Sequence, residues 1–232
     1  MGRTSASVTL IGALAALAAG GCGNSRHAAA EPARLQNPAY QRELRKLVSD
    51  GYSGAVAIVA TDAGTWKGAA GWADVDTKRR ARPGDRFAIE STTKTFVATV
   101  VLQLVGERRL ALDDTVQHRL PGLFPARPRI TIRQLLNHSS GIPSEFAFSE
   151  APLARAKRIA AQGLLFKPGT STAYSNSDFV VLGLIVEKVT GRPLDQVVTD
   201  RIIRRLDLRS TSYGTAHAQR MTPWLGQVEN FG

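Results

Sequence analysis

The apolar positions of this chain fall into a succession of rhythms, and each rhythm predicts an element. Between Pro38 and Asp50, Tyr40, Leu44 and Leu47 share one face at helical spacing with charges elsewhere. Gly54–Ala60 is an unbroken small apolar run of strand length, Asp62-Ala63-Gly64 signals a turn, and Thr65–Trp72 reads as the second strand of a hairpin. Lys78–Asp85 reads as a charged loop. From Ser91 the pattern predicts a helix that is apolar almost all round (Phe96, Val97, Val100, Val101, Leu102, Leu104, Val105), which belongs inside a domain. Gly106 and the charges Glu107-Arg108-Arg109 end it. Leu110–Leu120 carries another short element before the Pro121-Gly122 turn. Thr131 is placed to cap Ile132–Asn137, with Ser139-Ser140-Gly141 closing that helix. Ala151–Gln162 is amphipathic, and Phe166–Thr170 is a turn. Ser177 or Asp178 is predicted to cap a helix through Phe179, Val180, Leu182, Leu184 and Ile185 that stops at Gly191. Leu194–Leu206 is predicted as one more helix, and the pattern dissolves after Tyr213.

A helix and a hairpin followed by a run of helices make an α+β chain. Two strands do not form an independently stable sheet, so the hairpin needs partners that the pattern does not supply. The 232 residues suffice for one sizeable domain, and 43% apolar with 21% charged residues is ordinary for a globular protein. The net charge of +11 admits nucleic acid or an anionic surface as partner. Nucleic acid is set aside: no binding motif is present, and the basic runs Lys78-Arg79-Arg80 and Arg204-Arg205 are short.

The N-terminus predicts export. Arg3 precedes the apolar stretch Val8–Ala19, too short for a comfortable membrane span, and small residues lead to Cys22, the single cysteine of the chain. This is similar to a bacterial lipoprotein signal in which Cys22 becomes the lipidated first residue, although Ala19 stands where Leu is usual. The other reading is an ordinary secretory signal cut near Cys22, with the thiol incidental. A lone cysteine makes no internal disulfide. The expected organisation is a signal over residues 1–21, a flexible tether over 22–37 and a domain over 38–232. The expected location is outside the cell, lipid-anchored to the outer face of the membrane or secreted.

Ser91 and Lys94 stand three apart at the start of the buried helix and so point to one side of it. A serine hydroxyl is a poor nucleophile until a base takes its proton, and an amine held neutral beside an apolar core can be that base. The Ser91 N–H, at the helix start, is placed to serve as an oxyanion donor. Alone, Ser-x-x-Lys more often means a capping serine and a solvent-facing lysine. Tyr174-Ser175-Asn176, about eighty residues on, adds a phenol for proton relay and an amide for a substrate carbonyl, although alone it is good turn composition. The four histidines are scattered without metal-ligand spacing.

Phe87–Lys94 with Val101–Val105, Ile130–Gly141, and Pro168-Gly169-Thr170 with Tyr174-Ser175-Asn176 and Val181-Leu182-Gly183 together resemble the D-alanyl-D-alanine carboxypeptidase and class C β-lactamase family, in order from about Tyr40 to Tyr213. Glu90 departs from the family's usual Gly. The resemblance implies a β-lactamase/transpeptidase-like fold with a helical domain and an antiparallel sheet domain, here incomplete. It implies Ser91 as the acylated nucleophile, Lys94 as its base, Tyr174 as proton relay and Asn176 as substrate ligand, with no metal or organic cofactor. His138 falls in the family's turn signature, where a structural role is expected. Peptidoglycan-type D-alanyl peptides, β-lactams or small esters are the implied substrates. The family's third motif, Lys-Thr-Gly or His-x-Gly on an edge strand, has no match after Asn176, and a lost oxyanion donor costs ~3 kcal/mol of transition-state stabilisation. The expectation is therefore a truncated copy, with the missing part supplied by another chain as the competing explanation. A non-catalytic envelope lipoprotein that binds peptidoglycan or a partner is the alternative from another class.

Overall fold

The computed structural model describes residues 35–124, 128–145 and 151–214. The predicted signal, Cys22 and most of the tether lie outside the described residues. The chain divides between Ala88 and Ile89 into two compact units.

The first unit holds helix α1 (Pro38–Ser49) and strands β1 (Gly54–Thr61), β2 (Gly64–Asp74) and β3 (Arg79–Arg80). The strands form an antiparallel sheet in the order β1-β2-β3. Gly54 pairs with Gly71 and Thr61 with Gly64, so the hairpin closes through Asp62-Ala63 as predicted. Helix α1 lies on β2: Gln41 donates to the Ala69 carbonyl at 2.9 Å, and the Tyr40 and Trp66 rings stand 5.3 Å apart. Gly71 has φ +73, and a Cβ there would come within 2.3 Å of the Ser53 carbonyl. Strand β3 falls inside the predicted charged loop. The Asp74 carboxylate accepts from the Asp76 and Thr77 N–H groups, folding the chain back on β2. Arg80 then packs its guanidinium 3.8 Å above the Trp72 ring, an interaction that charge patterning does not reveal.

In the second unit a short 3₁₀ turn (Glu90–Thr92) leads into helix α2 (Thr93–Gly106), followed by α3 (Val116–Arg119), α4 (Ile132–Leu136), α5 (Pro152–Ala161), α6 (Asn176–Thr190) and α7 (Leu194–Val198). Val97, Val100, Val101 and Leu104 of α2 and Val181, Leu182, Ile185 and Val186 of α6 are the centre of one buried cluster. Ile130, Ile132 and Leu135 from α4 and its approach, with Ala156 and Ile159 of α5, close round it. Leu194–Leu206 is not one regular helix: α7 passes into a π turn at Thr199–Ile203. The buried pairs Val197-Val198 and Ile202-Ile203 stand five residues apart, and the wider turn points both inward.

Thr131 caps α4 as its sequence predicts. Its hydroxyl accepts from Gln134 N–H at 3.3 Å, and the Gln134 side chain accepts from Thr131 N–H at 3.0 Å. Thr131→Ala is expected to lower unfolding free energy by about 1 kcal/mol. A urea titration that shows no fall in midpoint would contradict this role.

Candidate active site

The four residues singled out in the sequence come together in the second unit. Ser91 sits in the 3₁₀ turn, one turn earlier than the regular part of α2, and is exposed. Lys94, three residues on, donates to Ser91 Oγ at 3.1 Å and to Asn176 Oδ1 at 2.6 Å. The Tyr174 hydroxyl lies 2.5 Å from Ser91 Oγ, and the Lys94 Nζ stands 4.8 Å from the Tyr174 ring centroid. The Asn176 Nδ2 is buried and, among the described residues, has no hydrogen-bond partner.

Burial alone would raise the Tyr174 phenol. Hydrogen bonds from Lys94 and Ser91, with the charge of Lys94, outweigh it and hold the phenol below its ordinary value. The cluster therefore stabilises negative charge on the oxygen nearest the nucleophile.

Glu90, in the position just before the nucleophile, has φ +43, a left-handed conformation that favours glycine. Its side chain is exposed. The turn that presents Ser91 is thus strained by the residue this chain carries there.

The cap of α6 lies earlier than predicted. Ser175 is the N-cap residue, and its hydroxyl reaches the Pro143 carbonyl at 3.4 Å instead of capping. Ser144 Oγ accepts from Asn176 N–H at 3.1 Å and Ser177 Oγ accepts from Glu145 N–H at 3.3 Å. The buried Arg155 of α5 in turn donates to the Glu145 carbonyl. Ser177 and Asp178, predicted as caps, are both fully buried. Asp178 accepts from Ser140 Oγ at 2.5 Å and stands 3.1 Å from His138 Nδ1. The His138 ring packs 4.8 Å from Tyr174 and 5.5 Å from Phe179. Gly141, at φ +80, lets the chain pass where a Cβ would sit 2.3 Å from the Phe166 carbonyl.

Sequence reasoning gave His138 a structural role and did not see Ser140 or Asp178 in the site. The polar cluster His138-Ser139-Ser140 reads as a turn, and Asp178 as a helix cap. Only their meeting across about forty residues shows what they hold. Burial, opposed by the Ser140 hydrogen bond, pushes the Asp178 carboxyl up to about 7. Burial, then the charge of Lys94, holds the His138 imidazole below its ordinary value.

The Beta-lactamase family model matches residues 35–230, and the chain belongs to this family. Its fold is the β-lactamase/transpeptidase-like one, α+β, as its motifs predict. The chain is 34% identical over 154 residues to Protein flp of Staphylococcus aureus, covering 62% of this chain and 31% of that protein. It is 33% identical over 191 residues to Esterase EstB of Burkholderia gladioli, covering 72% and 48%. The crystal structure of a D-stereospecific amidohydrolase from Streptomyces sp. superposes with a TM-score of 0.65 at 38% identity, over 75% of this chain and 56% of that one. The chain thus spans about a third to a half of the length of the curated relatives it matches.

Two outcomes follow from the strained turn and the buried acid. Glu90→Gly is expected to raise unfolding free energy by about 0.5 kcal/mol, the left-handed penalty less the extra freedom of glycine in the unfolded chain. A lower thermal midpoint would contradict this. Asp178 binds its proton more tightly folded than unfolded, so its burial costs stability increasingly as pH rises from 3.8 to about 7. The stability advantage of Asp178→Asn over the parent should therefore grow across that window and level off above it. Denaturant titrations showing a pH-independent difference would contradict the raised acid.

Proposed function

We propose that this chain is an acyl-transferring serine hydrolase that acts through a covalent Ser91 intermediate on the amide bonds of D-alanyl peptides and related D-amino-acid amides, β-lactams included. The observation that carries this reading is Ser91 Oγ set between the Tyr174 hydroxyl at 2.5 Å and Lys94 Nζ at 3.1 Å. In acylation the Ser91 Oγ–carbon bond forms as the amide C–N bond breaks. The hydroxyl proton passes to Tyr174, the group nearest Oγ, in place of the Lys94 base that the motif alone implies, and from there to the leaving amine. Lys94 supplies the positive charge that makes Tyr174 a base of suitable strength, and it orients Asn176. The Asn176 amide is assigned to the substrate carbonyl, its Nδ2 being without a partner among the described residues, and the Ser91 N–H serves as an oxyanion donor. Water then cleaves the acyl-enzyme by the reverse proton path.

Support for D-configured amides comes from the likeness to the D-stereospecific amidohydrolase, and the likeness to Esterase EstB supports small esters as the second reading. Cys22, with the apolar stretch before it, supports an exported, lipid-anchored protein that meets peptidoglycan-type D-alanyl peptides at the cell surface.

Intact-mass spectrometry of the full chain after exposure to a penicillin tests the chemistry. A stoichiometric adduct is expected, absent in Ser91→Ala. Turnover of a D-alanyl amide in preference to a matching short-chain ester supports the amidase reading, and the reverse preference supports the esterase. No adduct on the folded chain and no turnover of either substrate would overturn the reading and leave a binding role.

A further inference from the structure

The His138–Asp178 pair behind Tyr174 has no part in the proton path above, and its hydrogen bonds are specific enough to locate a proton. Asp178 has no exposed side-chain surface. Its Oδ1 accepts from Ser140 Oγ, which itself accepts from Ile142 N–H at 2.9 Å. Its Oδ2 faces His138 Nδ1 at 3.1 Å, and the buried Ser175 N–H is directed at the same nitrogen at 3.3 Å.

A ring nitrogen presents either a lone pair or a hydrogen in its plane, never both. If Nδ1 carried the hydrogen and gave it to an ionised Asp178, the Ser175 N–H would point at another N–H. A buried backbone donor would then be left without an acceptor. If Nδ1 presents its lone pair, it accepts from Ser175 and also from Asp178, provided that the acid carries the proton on Oδ2. The two contact lengths suit one shared acceptor. The raised carboxyl and the depressed imidazole agree with this assignment.

We propose that His138 and Asp178 are positioning residues. They form a neutral pair, the acid buried and the imidazole partly so, with the proton on Asp178 and the imidazole hydrogen on Nε2, that fixes Tyr174 against Ser91 and Lys94. The inference rests on the reading of Tyr174 as the group that takes the Ser91 proton. Two contacts transmit the position. The Ser175 N–H bond to Nδ1 fixes the peptide that follows Tyr174, and the imidazole packs against the phenol ring. Among the described residues, the titratable and charged groups that face the imidazole are Lys94 from α2, Tyr174 from the segment before α6 and Asp178 from α6. A neutral ring adds no second positive charge beside Lys94, and an uncharged acid adds no negative charge to oppose a phenolate on Tyr174. His138 itself is held at φ +60, in the left-handed region, so the surrounding contacts impose its place.

The location of the proton is tested on the unaltered full chain by nitrogen NMR of its histidines, with His138 assigned by its loss in His138→Gln. An unprotonated Nδ1 with hydrogen on Nε2 is expected, and a protonated Nδ1 overturns the assignment. Positioning is tested with Asp178→Asn, whose amide donates to His138 and accepts from Ser140 as the protonated acid does, and with Asp178→Ala, which does neither. The Tyr174 phenol, followed by carbon NMR of labelled tyrosine, should titrate as in the parent in Asp178→Asn and move upward in Asp178→Ala. On the substrate that the chain turns over, Asp178→Asn should keep kcat within about threefold and lack the decline expected of the parent as pH passes through neutrality. Asp178→Ala should lose kcat by about ten- to a hundredfold with KM little changed. Equal loss in the two variants, or a Tyr174 titration that neither moves, overturns positioning. The NMR readouts need no turnover. A chain that Ser91 never acylates but that shows the expected tautomer and Tyr174 pattern would retain the pair and reject the hydrolase reading.

Discussion

Helix α2 packed on helix α6 is the constraint on which the site depends. Val97, Val100, Val101 and Leu104 meet Val181, Leu182, Ile185 and Val186 in one dry cluster, and cores of this kind tolerate no displacement of a turn without voids or clashes. Ser91 and Lys94 sit at the N-terminal end of one helix, and Asn176 begins the other. Because apolar packing fixes the two helix starts, the 2.6 Å contact from Lys94 to Asn176 joins residues eighty-two apart in sequence without a loop having to hold them. The chemistry at these helix ends is polar and partly exposed, while the energy that fixes it lies in the apolar turns below.

A second, polar layer refines what the core places coarsely. The segment from His138 to Glu145 runs past the first turn of α6 and is bonded to it through Ser140, Pro143, Ser144 and Glu145. Burying so many polar groups would be unfavourable if any were left unpaired, and here the hydroxyls of Ser140, Ser175 and Ser177 all find partners. Such a network has few alternative arrangements. It therefore specifies the orientation of Tyr174 more sharply than hydrophobic contact, which is non-directional.

Charge completes the arrangement. Lys94 lies between two oxygen acceptors and beside two aromatic rings, those of Tyr174 and Phe179. Its effect on its neighbours is opposite in consequence: it lowers the phenol of Tyr174, favouring a charged oxygen, and lowers the imidazole of His138, favouring a neutral ring. One cation thus helps set both the acid–base group next to the nucleophile and the neutral support behind it.

The elements of both units were largely legible in the sequence, because each carries its own local signal: the small apolar hairpin around Asp62-Ala63, the capped turn at Thr131, the all-round apolar α2. The candidate nucleophile, lysine, tyrosine and asparagine were legible because their motifs stand at element starts, where helix geometry aims side chains predictably. What tertiary structure alone decided has a common physical cause. Strand β3 depends on Asp74 folding the chain back and on Arg80 finding Trp72. The left-handed backbone at Glu90 follows from the turn that delivers Ser91 into α2. The role of Asp178 depends on two segments about forty residues apart closing over it. Periodicity reports what a residue does to its own helix or strand. A buried carboxyl takes its protonation state and its partners from neighbours distant in the chain, so its meaning exists only once the core has brought them together.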